Sequence, residues 1–154
     1  MTVRVQREDF DTAAELHALT ASNPGIGAVV TFTGLVRDFA GDDRNAAAIH
    51  RMTLEHYPGM TEKQLEAIVA EANRRWPLQG CLVIHRYGTL EPGDRIVLVV
   101  TASPHRQAAF DACAFLIDWL KTRAPFWKLE EGAGERRWVE AKTSDDDAAA
   151  RWQR

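Results

Sequence analysis

The feature that most constrains this chain is a helical period framed by two prolines. Ser103-Pro104 opens it and Ala124-Pro125 closes it. Serine caps helices and proline is pre-organised for the first helical position, so the spacing predicts a helix from Pro104 to about Arg123. Pro125 cannot donate a helical hydrogen bond, and it pushes Ala124 out of the α region. Phe110, Ala114, Ile117 and Lys121 recur at i, i+4, i+7 and i+11, which puts them on one face. On this reading Lys121 continues a buried stripe. Past the stop, the chain is expected to turn through Phe126 and Trp127 to Lys128. Lys121, Arg123 and Lys128 would then form a cationic wall with apolar backing, suited to a flat anionic small molecule. The alternative is that the cations only complement the negative end of the helix dipole.

A helix with one apolar face needs something to cover it, and the rest of the chain offers strands. Thr2 to Gln6 alternates as an edge strand would. Asp11 can cap a short helix carrying Leu16 and Leu19. Gly27 to Val36 is rich in β-branched residues and reads as a strand ending at Arg37. A polar loop with Gly41 follows from Asp38 to Asn45, and Asp42-Asp43 read as solvated charges. Ile49 to His56 is a second strand, with Met52 and Leu54 on one face. Thr61 and Gln64 fit a capping box for a helix with the stripe Leu65, Ile68, Val69, Ala72 and Trp76, ended by Pro77. Cys81 to Tyr87 and Arg95 to Thr101 are strands joined by the turn residues Glu91-Pro92-Gly93-Asp94, so a hairpin is expected. Arg137 to Ala141 is a short strand, and Ser144 to Ala150 a capped, exposed terminal helix. This order implies an α+β fold: two layers, a mixed or mainly antiparallel sheet, and packed helices.

At 154 residues the expectation is one domain over 1–154 with its own core. A net charge of −3 argues against a general nucleic-acid binder. Cys81 and Cys113 form no CxxC, and no secretory h-region precedes them, so a cytoplasmic setting without a structural disulfide is expected. No apolar run approaches the ~20 residues that cross a membrane. His50, His56 and His85 lack zinc-site spacing, so no metal is expected, and no cofactor motif is present.

Two further cationic features stand out. His105-Arg106 sits at the helix start, where free N–H groups and the dipole bind anions and where a cation is otherwise unfavourable. The bland reading pairs Arg106 with an acid and leaves His105 solvated. Arg37 stands where a strand opens into a loop, a common place for ligand contact. Yet Arg106 and Lys121 are separated by roughly 22 Å at ~1.5 Å rise per residue. A small ligand cannot reach both ends within one chain. Either there are two sites, or one site is built from two copies.

The blocks Val29 to Arg37 (VVTFTGLVR), Leu54 to Met60 (LEHYPGM), Val83 to Arg86 (VIHR) and Lys121 to Lys128 (KTRAPFWK) resemble the catalytic, large subunit of molybdopterin synthase. The resemblance runs from about Gly25 to Trp152, with residues 1–24 matching poorly and 143–154 forming a tail. It implies an α/β hammerhead-like fold and a homodimer. It also implies a heterotetramer with a small ubiquitin-like sulfur-carrier subunit that ends in a Gly-Gly thiocarboxylate. The activity implied is a sulfurtransferase of molybdenum cofactor biosynthesis, converting cyclic pyranopterin monophosphate to molybdopterin. Catalytic roles carry over onto Lys121 and Lys128. Substrate-binding roles carry over onto Arg37 with Leu35 and Val36, onto His105 and Arg106, and onto Lys121 and Lys128 with Leu129 and Glu130.

Two other readings fit the residues. One is a Schiff-base enzyme using Lys121 covalently. The other is a non-catalytic module that binds a phosphorylated ligand.

Overall fold

The computed structural model describes residues 1–39, 48–132, 135–139 and 143–153. The elements run β1 (Thr2–Gln6), α1 (Thr12–Thr20), β2 (Ala28–Leu35), β3 (Arg51–His56), α2 (Met60–Arg75) and β4 (Gly80–Arg86). They continue with β5 (Gly88–Leu90), β6 (Arg95–Ser103), α3 (Arg106–Thr122), β7 (Phe126–Gly132), β8 (Glu135–Val139) and α4 (Thr143–Ala150), closed by a 3₁₀ turn at Arg151–Gln153. The α+β class is as expected, but the strands divide into two four-stranded sheets, ordered β1-β4-β6-β2 and β5-β3-β7-β8. Among the described strands only β1 and β4 pair in parallel.

The first sheet is covered on both sides, and strand alternation decides which side chain goes where. Cys81, Val83, Val97 and Val99 pack with Leu65 and Val69 of α2 and Cys113 and Leu116 of α3. Their neighbours Leu82, Ile84, Leu98 and Val100 face the other way, onto Phe10 and, from α1, Leu16 and Leu19. Two-sided burial explains why β4 and β6 read as continuous apolar runs. The second sheet has its own small core of Met52, Leu54 and Leu90 with Val36. No helix among the described residues is long and apolar enough to cross a membrane.

Local signals mostly hold. The Asp11 carboxylate accepts from Ala14 N at 3.1 Å and caps α1. Around Glu91-Pro92-Gly93-Asp94, Asp94 N donates to Glu91 O at 2.9 Å, and Gly93 takes the positive φ of 92° that the turn needs. The two strands expected to pair do so, β4 against β6 antiparallel, but the connection is longer than that turn because β5 intervenes and pairs with β3 in the other sheet. The α2 cap also lies earlier than expected. Gly59 is the N-cap, and its N–H donates to Glu62. Thr61 is instead buried, accepting from Tyr57 N at 3.1 Å and donating to Pro125 O at 3.3 Å.

The framing helix departs from expectation at both its start and its face. Ser103 belongs to β6, paired with Ala28, and its hydroxyl donates to Pro77 O at 3.0 Å. The cap position therefore passes to His105, and Pro104 lies outside the helix. The buried face is Ala109, Ala112, Cys113, Phe115 and Leu116, while Phe110 is 56% exposed and Lys121 is exposed. Small residues win because α3 lies close on the sheet, where Thr101 Oγ1 donates to Ala109 O at 2.7 Å. The expected turn at Phe126 and Trp127 is instead the start of β7. The expected polar loop falls mostly on residues 40–47, outside the described residues, as do Asp42, Asp43 and residues 140–141 of the expected last strand.

The C-terminal segment is helical as expected, but it is docked. Asp118 accepts from Arg151 at 3.0 Å and from Trp152 Nε1 at 2.6 Å. The Trp152 ring stands edge-on to Trp76 and Phe115, with centroids at 5.6 and 5.7 Å. Asp118→Ala leaves the indole N–H without its carboxylate. It should lower stability by about 1–3 kcal/mol and speed proteolysis after α3. Thermal unfolding with timed digestion checks this; an unchanged digestion pattern would mean that ring packing alone holds the tail.

Candidate functional site

A cavity of about 490 Å³ opens between the two sheets and the end of α3. Each side is built by a local device. On the first, β2 ends with a register shift between Gly34 and Leu35. A side chain at Gly34 would meet Val97 Cγ1 at 2.8 Å, so glycine lets β2 lie close to β6. Val36 is then fixed in the core, its N–H donating to Asp94 O at 2.9 Å and its carbonyl accepting from Gly93 N at 2.8 Å. The next residue, Arg37, reaches the cavity with its guanidinium 4.8 Å from the centre of the Phe39 ring. A flat cation on an aromatic face is held without losing its hydrogen-bonding edge.

The second side is the end of α3. Arg123 N and Ala124 N both donate to Trp119 O, at 2.8 and 3.3 Å, and this closes the last turn. Phe126 N then donates to Ala124 O at 2.8 Å, reversing the chain into β7. The helix end and the strand start are thus separated by only Arg123, Ala124 and Pro125. Lys121 reaches the cavity from the helix, and Lys128 from the strand.

The third side is β7. Phe126, Lys128 and Glu130 alternate toward the cavity, while Trp127 points away and meets Tyr57 edge-on at 4.4 Å. Leu129 is buried on the opposite face. Behind Phe126 the His85 ring lies stacked, with centroids 3.7 Å apart and planes at 17°.

The sequence-derived residues therefore separate into groups. Leu35, Arg37, Lys121, Lys128 and Glu130 share this cavity. Val36 and Leu129 are buried beside it and place their neighbours. Arg123 lines a separate cavity of about 230 Å³ under the docked tail, so it does not belong to the wall expected with the two lysines. His105 and Arg106 are exposed at the other end of α3, whose first turn holds no acid. Within one chain the two ends of the helix stay apart, as the helical rise requires.

Sequence reasoning missed His85 and the start of α4, where Ser144 and Asp145 line the cavity. The signal for His85 was its parity: it follows Cys81 and Val83 on one face of β4. Burial is the main force pushing its pKa down to about 4, with the nearby cations Lys128 and Lys121 adding to it and the contact to Arg86 O opposing it. The cysteines are excluded as sulfur nucleophiles. Both are buried, and burial pushes Cys81 up to about 12 and Cys113 up to about 11, so both stay protonated thiols.

The sequence model of the family described as MoaE protein matches residues 5–123. A molybdopterin synthase catalytic subunit of Pseudomonas aeruginosa is 59% identical over 153 residues, covering 99% of each chain. The solved structure of a molybdopterin biosynthesis MoaE protein from Burkholderia ambifaria aligns with a TM-score of 0.79 at 51% identity over 99% of each chain. A complex of subunits 1 and 2 of the molybdopterin-converting factor from Helicobacter pylori shares the fold, with a TM-score of 0.69 at 22% identity over 92% of this chain and 90% of that one. Two sheets, a cationic cavity between them and this degree of likeness lead to one conclusion: the chain belongs to the MoaE protein family and is an enzyme subunit of the molybdopterin synthase kind.

Proposed function

We propose that this cavity is where a cyclic pyranopterin monophosphate receives two sulfurs, one from the C-terminal thiocarboxylate of each of two small ubiquitin-like carriers, with an oxygen from water replacing each sulfur on the carrier, giving molybdopterin. The observation that carries the reading is the convergence of Lys121 and Lys128, from different elements, on one cavity that Arg37 also lines. A pterin is flat and fits between apolar walls such as Phe126. The thiocarboxylate and the substrate phosphate are both anions, so bringing them together costs Coulomb energy that fixed cations offset. Lys121 and Lys128 supply that charge at the point of sulfur attack and hold the sulfur in line. Arg37 grips the substrate edge, with Leu35, Val36, Leu129 and Glu130 shaping the space around it.

The carrier's tail reaches the cavity as an extended Gly-Gly strand, since glycine lets a backbone pass close to side chains. A two-subunit assembly of this kind is what the Helicobacter pylori complex is named for. The phosphate is held by His105 and Arg106 of a second copy, at an α3 start that offers free N–H groups and no competing acid. The working assembly is thus a heterotetramer built on a homodimer. Residues 1–154 act in it as a single catalytic domain in the cytoplasm, without membrane or nucleic acid.

Lys121→Ala should fold normally and lose at least ~100-fold in turnover, with Lys128→Ala impaired less severely. Single-turnover assays with thiocarboxylated carrier measure both, and near-normal turnover by Lys121→Ala removes that lysine from the mechanism. The shared site predicts complementation. Chains carrying Arg106→Ala and Lys121→Ala, each nearly inactive alone, should form mixed dimers with one intact site and about half the activity. If subunit exchange is confirmed by native mass and no activity returns, the two residues do not meet across a dimer.

A further inference from the structure

His85 is placed too carefully for a filler residue. It is only 7% exposed, yet it borders the cavity that Lys121 and Lys128 share. Two contacts lock its ring. One face is stacked on Phe126, and Nδ1 lies 2.8 Å from the carbonyl oxygen of Arg86. A carbonyl can only accept, so Nδ1 carries the proton and donates. In a neutral imidazole that leaves Nε2 as a bare lone pair. The hydrogen bond given for the ring is the one at Nδ1. The ring borders the cavity, so that lone pair is open to a donor from the cavity side.

The donor follows from strand geometry. Phe126 and Lys128 lie two apart on β7 and so share a face, at a spacing of roughly 6.5–7 Å along the strand. A ring stacked on Phe126 therefore lies within the reach of the Lys128 side chain. The charged and titratable groups that act on His85 are Lys128 from β7, Lys121 from α3, and His56 from β3, whose own Nε2 faces Glu62 at 3.6 Å, while the carboxylates Glu130 and Asp145 line the same cavity. With burial and those cations opposing a second proton, the imidazole stays neutral at neutral pH.

We propose that His85 is a positioning residue whose Nε2 accepts an N–H from the Lys128 ammonium and aims that cation into the cavity. The inference rests on the reading of Lys128 as a sulfur-transfer residue, but the contact itself can be tested without turnover. A neutral acceptor suits the task, because it fixes a cation without cancelling its charge.

The test combines spectroscopy on the full chain with kinetics on the assembled synthase. With ¹⁵N-labelled histidine, His85 at pH 7 should show a protonated Nδ1 and an unprotonated Nε2 shifted by hydrogen bonding. Lys128→Ala should move the Nε2 resonance to the position of a free acceptor, and Lys121→Ala should move it much less. In turnover, His85→Phe keeps the stack but loses the acceptor, and kcat should fall about 10–100-fold with pterin KM little changed. His85→Gln restores an acceptor and should keep most of kcat. A purely structural histidine predicts instead that His85→Phe is as active as the parent. That result, an Nε2–H tautomer, an imidazolium, or equal losses in two folded variants would each overturn the proposal. If His85→Phe does not fold, the Nε2 response to Lys128→Ala decides alone. If Lys128→Ala shifts Nε2 but leaves turnover intact, the contact stands while the role given to Lys128 falls.

Discussion

The structure depends on how abruptly α3 stops. Pro125 forbids another helical turn, and the carbonyls of Trp119 and Ala124 collect the N–H groups left over. The chain reverses within three residues and enters β7. Two contacts from distant segments fix that reversal: the Thr61 hydroxyl donates to Pro125 O, and the His85 ring stacks on Phe126. A lysine at the end of a helix and a lysine in a strand can then line one cavity. Without the stop, Lys128 would ride on a longer helix, two turns from Lys121 and tied to it by rotation alone.

What was legible in the sequence is what local chemistry governs. The α1 cap at Asp11, the turn at Gly93, the end of α2 before Pro77 and the strand character of β2, β4 and β6 all follow from short-range preferences. The failures are non-local. Phe110 looked like core because it is large, but α3 approaches the sheet through Ala109 and Ala112, and that choice is made by the sheet. Ser103 looked like a cap, but pairing with Ala28 claims it for β6. The strand β7 hid behind a proline and a mixed run of Lys and Glu, because its partner β3 lies some seventy residues earlier. His85 could be placed on a face of β4, but only the second sheet reveals that this face borders a cavity. The grouping of Lys121 with Lys128 was legible as spacing; the exclusion of Arg123 was not, since one residue past the helix end decides which side it joins.

The chemistry follows from charge and burial together. Both cysteines are sealed in the core as thiols, so under the proposed function sulfur arrives on another molecule. On that reading an incoming thiocarboxylate and a phosphate-bearing substrate repel, and cations fixed at the mouth of a half-buried cavity relieve that repulsion more than free ions in water would. The exposed cations at the other end of α3 enter the proposed site through a second copy.

The central claim is that this chain, supplied with a carrier, moves sulfur onto a cyclic pterin. The most direct measurement is mass analysis of both partners after one turnover with thiocarboxylated carrier. The account predicts that the pterin gains two sulfurs while two carrier termini, one for each sulfur, become carboxylates. A pterin that binds and is recovered unchanged, with the thiocarboxylate intact, would contradict it.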